Sequence, residues 1–234
     1  HINMNRENYK MALDQLKQLE KVAEVQRNLI FSRVGQMRAN YRLENYQKAY
    51  EAADKLLHTE RINAREKREA RFIKAKALFL DKKYDMALEE FRKVANEDVN
   101  SAEGAEAKYH VALIFHKKGE YKVAENEIFD FLQQHSSQEY WKAKSFILLA
   151  DTYKAMGDTF QAKHTLKSII ENYDPAGRDD GIIKSAKDKY NAIIETEKYQ
   201  MEQDTVQKQL KIRMEPQNDQ DTTGSNTKNP KPDL

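Results

Sequence analysis

A Tyr-x-x-Ala-x-x-x-apolar pattern recurs at Tyr9/Ala12/Leu16, Tyr46/Ala49/Ala53, Tyr84/Ala87/Phe91 and Tyr121/Ala124/Ile128. A fifth copy, Thr159/Ala162/Leu166, has lost the Tyr, and successive alanines stand 37 or 38 residues apart. So regular a period means a repeat array, in which each unit buries its apolar face against its neighbours. The Ala slot has a physical role, since helices approaching to ~8–10 Å need a small side chain where they cross.

The chain breakers set the class of the repeat. No proline precedes Pro175, and only Gly35, Gly104, Gly119 and Gly157 lie before it. A sandwich or barrel would need a turn signal every ~8–12 residues, so the chain reads as all-α. Each repeat carries two amphipathic helices. In the clearest, Phe146, Leu149, Ala150 and Tyr153 mark one face, Gly157-Asp158 turns the chain, and Ala162, Leu166, Ile169 and Ile170 mark the second. Tyr173-Asp174-Pro175-Ala176-Gly177 then stops the helix.

The residues now carry a resemblance. Leu149-Ala150-x-x-Tyr153 followed by Gly157-x-x-x-x-Ala162-x-x-x-Leu166 resembles the tetratricopeptide repeat (TPR) signature, as does Gly119-x-Tyr121-x-x-Ala124-x-x-x-Ile128. The likeness covers about residues 4–175 and implies a helical-hairpin solenoid, a right-handed superhelix of about 4.5 repeats beginning in mid-repeat. The period exceeds the usual ~34 residues. Gln36 and Lys74 stand where the family prefers Leu, and Met37 stands in a small-residue slot. Long-period repeats of this kind are similar to those of bacterial cell-envelope TPR proteins, which implies a module of a larger envelope protein in the periplasm, with the cytoplasm as alternative.

The ends extend this reading. The chain begins at His1, and its first helix, from Met4 to about Val22, matches the second helix of a repeat, as expected of a piece of a longer parent. Asp179-Asp180 opens a capping helix over 179–197 carrying Ile182, Ile183, Ala186, Tyr190, Ile193 and Ile194. A polar helical extension over 198–214 and a disordered tail over 215–234 follow.

Composition excludes several function classes. There is no cysteine, hence no disulfide, thiol nucleophile or thiolate metal site. The longest strictly apolar run, Phe146 to Ala150, is far short of the ~20 residues of a membrane span. None of His1, His58, His110, His116, His135 and His164 stand three or four apart, so no helical metal site is expected. No glycine-rich phosphate loop and no strained-turn serine occurs. The reading is a non-enzyme without cofactor, metal or small-molecule substrate.

What remains is binding. In TPR arrays the first helices of successive repeats line a concave groove, and the resemblance projects this role onto Arg38, Tyr41, Arg42, Phe72, Lys76, Phe79, Tyr109, His116 and Lys117. Lys144, Asp151 and Lys154 complete the set in the last repeat. Aromatics interleaved with Arg and Lys suit a protein or peptide partner, although Phe72, Phe79 and Tyr109 also suit wedges between helices. The chaperone-tail carboxylate clamp of the family is missing, since its slots hold Val34, Arg38, Ile73, Glu106 and His110. Two alternatives stand beside the groove. A basic stripe over 61–76 could bind nucleic acid, against a whole-chain charge of only +2. The incomplete first repeat could support self-association through its apolar edge.

Overall fold

The computed structural model describes residues 6–97, 100–134 and 137–214. The tail expected to be disordered over 215–234 lies outside the described residues, as do Met4 and His135. Among the described residues the elements are α1 (Arg6–Val22), α2 (Gln26–Arg42), α3 (Tyr46–Leu57), α4 (Ala64–Leu80), α5 (Tyr84–Glu97), α6 (Ala102–Lys117), α7 (Tyr121–Gln133), α8 (Glu139–Ala155), α9 (Thr159–Asn172) and α10 (Ile182–Met214). No described residue is in a strand.

Each helix from α1 to α8 packs on the next, giving the hairpins α2/α3, α4/α5, α6/α7 and α8/α9. The first helices of successive hairpins also pack backbone to backbone, α2 on α4, α4 on α6 and α6 on α8, whereas second helices meet through side chains, as where Arg92 of α5 pairs with Glu127 of α7. The even-numbered helices thus form a continuous row.

The hairpin turns share one construction. A residue in left-handed conformation ends α2, α4, α6 and α8: Glu44 (φ 62°), Lys82 (φ 59°), Gly119 (φ 79°) and Gly157 (φ 84°). Just after each comes an N–H bond to a carbonyl five residues back, Asn45 to Asn40, Lys83 to Leu78, Glu120 to Phe115 and Asp158 to Tyr153, all 2.9 Å. This six-to-one bond satisfies carbonyls that the ending helix would leave unpaired. Glycine occupies the left-handed site in two of the four turns, and the other two carry a Cβ there at a cost of about 1–2 kcal/mol each.

The starts of α4, α6 and α9 are capped by side chains. Asn63 and Glu66 form a reciprocal capping box on α4 (2.8 and 3.0 Å), and Ser101 and Asp158 accept from the backbone N–H of Gly104 and Gln161. Before α10, the Asp180 carboxylate accepts from the Ile182 N–H at 3.1 Å and from the Tyr173 hydroxyl.

Packing follows the repeat columns. Ala49, Ala87, Ala124 and Ala162 are all fully buried, and so are Ala53, Phe91, Ile128 and Leu166 four residues on. Polar residues enter the interior of several repeats, and those of the second cross between helices. Ser32 donates to the Leu16 carbonyl (2.6 Å), Gln36 to Glu20 (2.7 Å), and buried Asn40 keeps its Oδ1 without a partner. Lys74, in the same slot as Gln36, bonds Asp54 of α3 at 2.7 Å. These two residues hold with ion pairs and amides what Val111 and Leu149 hold by apolar contact in the later repeats.

The chain divides into a unit ending at Asn191 and a second beginning at Ala192. In the first, Ile182 and Ala186 are buried and Lys187, one slot beyond Ala186, is exposed. The described part of the second is helical to Met214 with its side chains largely exposed, Tyr199, Met201, Val206 and Leu210 among them.

Candidate functional site

The row of even-numbered helices displays one side chain per turn and per repeat, and two clefts open on its first members. One, of about 690 Å³, is lined by Arg38, Tyr41 and Arg42 of α2, by Arg65, Arg68, Glu69, Phe72, Ile73 and Lys76 of α4, and by Tyr9 and Glu103. The other, of about 530 Å³, is lined by Arg27, Ile30, Phe31, Val34 and Arg38 of α2 with Arg61, Asn63 and Glu66. Arg38 lines both, so the two adjoin along α2 and α4 and together make up the trough.

Five of the groove residues expected from the sequence, Arg38, Tyr41, Arg42, Phe72 and Lys76, meet in the larger cleft. Their states differ. The Arg38 guanidinium makes two parallel bonds of 2.6 Å to the Glu69 carboxylate, which raises its pKa. Lys76 repeats this rung one repeat later, reaching Glu106 at 2.6 Å. Burial works against the Lys76 charge, but Glu106 outweighs it and holds the pKa above the ordinary lysine value. The ammonium also lies over the Tyr41 and Phe72 rings, 5.7 and 5.2 Å from their centroids. Arg38 and Lys76 are therefore rungs of an ion-pair ladder joining α2 to α4 and α4 to α6. Arg42 is exposed and has no carboxylate partner among the described residues.

The remaining expected residues lie elsewhere. Phe79 sits among Tyr84, Phe91 and His110, at 5.7, 6.4 and 5.2 Å between centroids, and wedges helices together. Tyr109 packs on Trp141 at 5.5 Å, and burial, with the Asp151 charge, pushes its hydroxyl up to about 12. His116 shares a 3.0 Å hydrogen bond with the buried Thr152 hydroxyl, and burial lowers its pKa. Asp151 is bound by Lys189 of α10 at 2.8 and 3.0 Å. Lys144 rests 5.0–5.5 Å from the Tyr109, Tyr140 and Trp141 rings. Lys117 and Lys154 are exposed. On α6 and α8 most polar groups of the set are engaged within the fold.

Sequence reasoning missed Arg27 and Phe31 as lining residues. Phe31 is 65% exposed, an unusual state for a phenylalanine within a helix. The repeat register is the signal that could have found it. Phe31 stands in the column of Glu69 and Glu106, the carboxylates of the ladder, and no rung cation one repeat earlier lies among the described residues.

The basic stripe over 61–76 divides in the same way. Arg71 pairs with Glu97, Lys74 with Asp54 and Lys76 with Glu106, so these cations are internal to the fold. Arg61, Arg65 and Arg68 line the trough. Among the described residues no group of His, Asp and Glu could hold a metal ion, and no helix is long and apolar enough to cross a membrane.

Comparison with known proteins agrees with this architecture. Residues 144–175, which span α8 and α9, match the tetratricopeptide repeat family model. Among solved structures, MamA from Desulfovibrio magneticus RS-1 aligns with a TM-score of 0.58 at 19% identity, covering 71% of this chain and 86% of its own. BtubC from P. vanneervenii aligns at 0.61 and 14% identity, covering 98% and 94%. A Podospora anserina kinesin light chain with TPR-like repeats aligns at 0.57 and 15%, covering 70% and 85%. No curated protein matches the chain. At these identities the structures speak for the fold alone. Residues 144–175 match a tetratricopeptide repeat, the hairpins before them share its construction, and the fold of the chain is that of a tetratricopeptide-like helical-hairpin solenoid.

Proposed function

We propose that this chain is a non-catalytic protein-interaction scaffold, holding a peptide or protein segment along the trough between α2 and α4, as a module of a larger bacterial envelope protein. The observation that carries the reading is that two adjoining clefts bring together Arg27, Arg42, Arg61 and Arg65, none with a carboxylate partner among the described residues, and an exposed Phe31. An aromatic left in water beside cations is the composition of a recognition surface. The later helices of the row bind their own polar groups and leave less for a partner.

Affinity capture from a source lysate at physiological salt tests this, with the full chain and a Phe31→Ala/Arg42→Ala/Arg65→Ala variant of equal helicity as baits. A protein retained by the first and lost with the second supports the trough as the binding site. Equal retention by both overturns it.

A second reading, self-association, is favoured by α1. Ala12, Leu16 and Leu19 are half-buried, whereas their equivalents Ala49, Ala53 and Leu56, and those of the later repeats, are buried. This face is covered by a preceding helix in every other hairpin. Light scattering over a wide concentration range should show a dimer that Leu19→Glu disrupts, and a monomer throughout would dismiss this reading.

A further inference from the structure

We infer that the trough takes an acidic, extended protein segment bearing a bulky apolar side chain, an inference that rests on the groove reading above. Seven arginines and lysines line the two clefts against three carboxylates, Glu66, Glu69 and Glu103. This local excess is twice the +2 carried by the entire chain. The positive charge is therefore concentrated here and compensated elsewhere.

The pairing within the trough sharpens the point. Arg38 and Lys76 are occupied by Glu69 and Glu106. Arg27, Arg42, Arg61 and Arg65 have no carboxylate partner among the described residues. All four are arginines, whose planar fork receives a carboxylate through two parallel bonds, as Arg38 already does with Glu69. Two come from α2 and two from α4 or the loop before it, so they flank the trough on both sides and would receive acidic side chains alternating along an extended segment. Phe31, exposed beside half-buried Ile30 and buried Val34, supplies the apolar contact. A nucleic acid fits less well. The cations that would prolong the basic track for a phosphate backbone, Arg71 and Lys74, are bound inside the fold.

Fluorescence anisotropy with the full chain tests this. The probes are fluorescein-labelled peptides with alternating Glu and one central Phe, the same with Gln or Lys for Glu, the same with Ala for Phe, and a labelled single-stranded oligothymidine. The Glu/Phe peptide should bind, weakening several-fold from about 50 to about 300 mM salt as the Debye length shrinks. Arg42→Glu/Arg65→Glu should weaken it at least about tenfold. An equal charge change on α3, Lys48→Glu/Lys55→Glu, should leave it within about twofold, which separates local recognition from net charge. Replacing the peptide's Phe, or Phe31→Ala in the protein, should cost a factor of about 3–10. Tighter binding of the Gln or Lys peptide through the same residues overturns the acidic inference and leaves the groove reading standing. Tighter binding of the oligothymidine overturns it in favour of nucleic acid. A Glu/Phe peptide indifferent to Arg42→Glu/Arg65→Glu overturns it outright. Failure of the groove reading is seen separately, as lysate capture undiminished by the triple variant.

Discussion

At the residue scale, three positions carry measurable consequences. Ala124 lies fully buried in one core cluster with Ala107, Val111 and Ile114. Ala124→Leu should cost ~1–3 kcal/mol in denaturant unfolding through overpacking. Lys82 holds φ 59° on an exposed turn where Gly119 and Gly157 hold the equivalent places. Lys82→Gly should stabilise by up to about 1 kcal/mol, the relief of the Cβ outweighing the added freedom of the unfolded chain. His110 is stacked on Phe91 at 4.7 Å between centroids, and burial pushes its pKa down to about 4. Because the folded pKa lies below the unfolded one, the unfolded chain takes up the proton first. Stability is therefore full above the unfolded value of about 6.5 and falls as the pH drops towards 4. Lowered His116 adds in the same direction. Urea midpoints measured across that window should fall, and fall less for His110→Phe.

At the element scale, the hairpins share a construction but differ in the composition of their cores. α8 and α9 bury Leu148, Leu149, Leu166 and Ile169, and residues 144–175 are the stretch that matches the family signature. The buried Ser145 and Thr152 of α8 each donate to a carbonyl four residues back, whereas the α2/α3 hairpin buries Asn40 with its Oδ1 unpartnered and relies on the Glu20, Arg33 and Gln36 network against α1. A half-satisfied polar interior contributes less than an apolar one of the same volume. Native-state hydrogen exchange should therefore protect residues 101–133 and 139–173 more than residues 25–58. Equal protection would mean that the polar network matches the apolar cores in strength.

At the scale of the whole molecule, stability is close to a sum over neighbouring hairpins, and cooperativity weakens where one interface is poor. The single tryptophan, Trp141 of α8, reports on the later hairpins only. On heating, its fluorescence midpoint should lie above that of the far-ultraviolet circular dichroism, which averages all the helices. Coincident midpoints would show a single cooperative unit.

The class of fold was legible in the sequence because its causes are local and repeated. Ala slots 37 or 38 residues apart, the absence of proline before Pro175, and Gly119 and Gly157 at their turns together admit few architectures. The turns at Glu44 and Lys82 carry no glycine to mark them, yet they adopt the same left-handed conformation. There the repeat register, and not local propensity, positions the chain. The candidate surface was legible only as a set of positions. Arg38 and Arg42, four residues apart on one helix, read alike in the sequence. One is bound to Glu69, 31 residues further on, and the other is open to a partner. Phe79 and Phe31 are both phenylalanines of a first helix, and one is wedged against His110 while the other stands in water. Helix formation and its period are written in nearest neighbours along the chain. Whether a cation or a ring is free depends on which residue a separate helix brings opposite it, and only the packed array decides that.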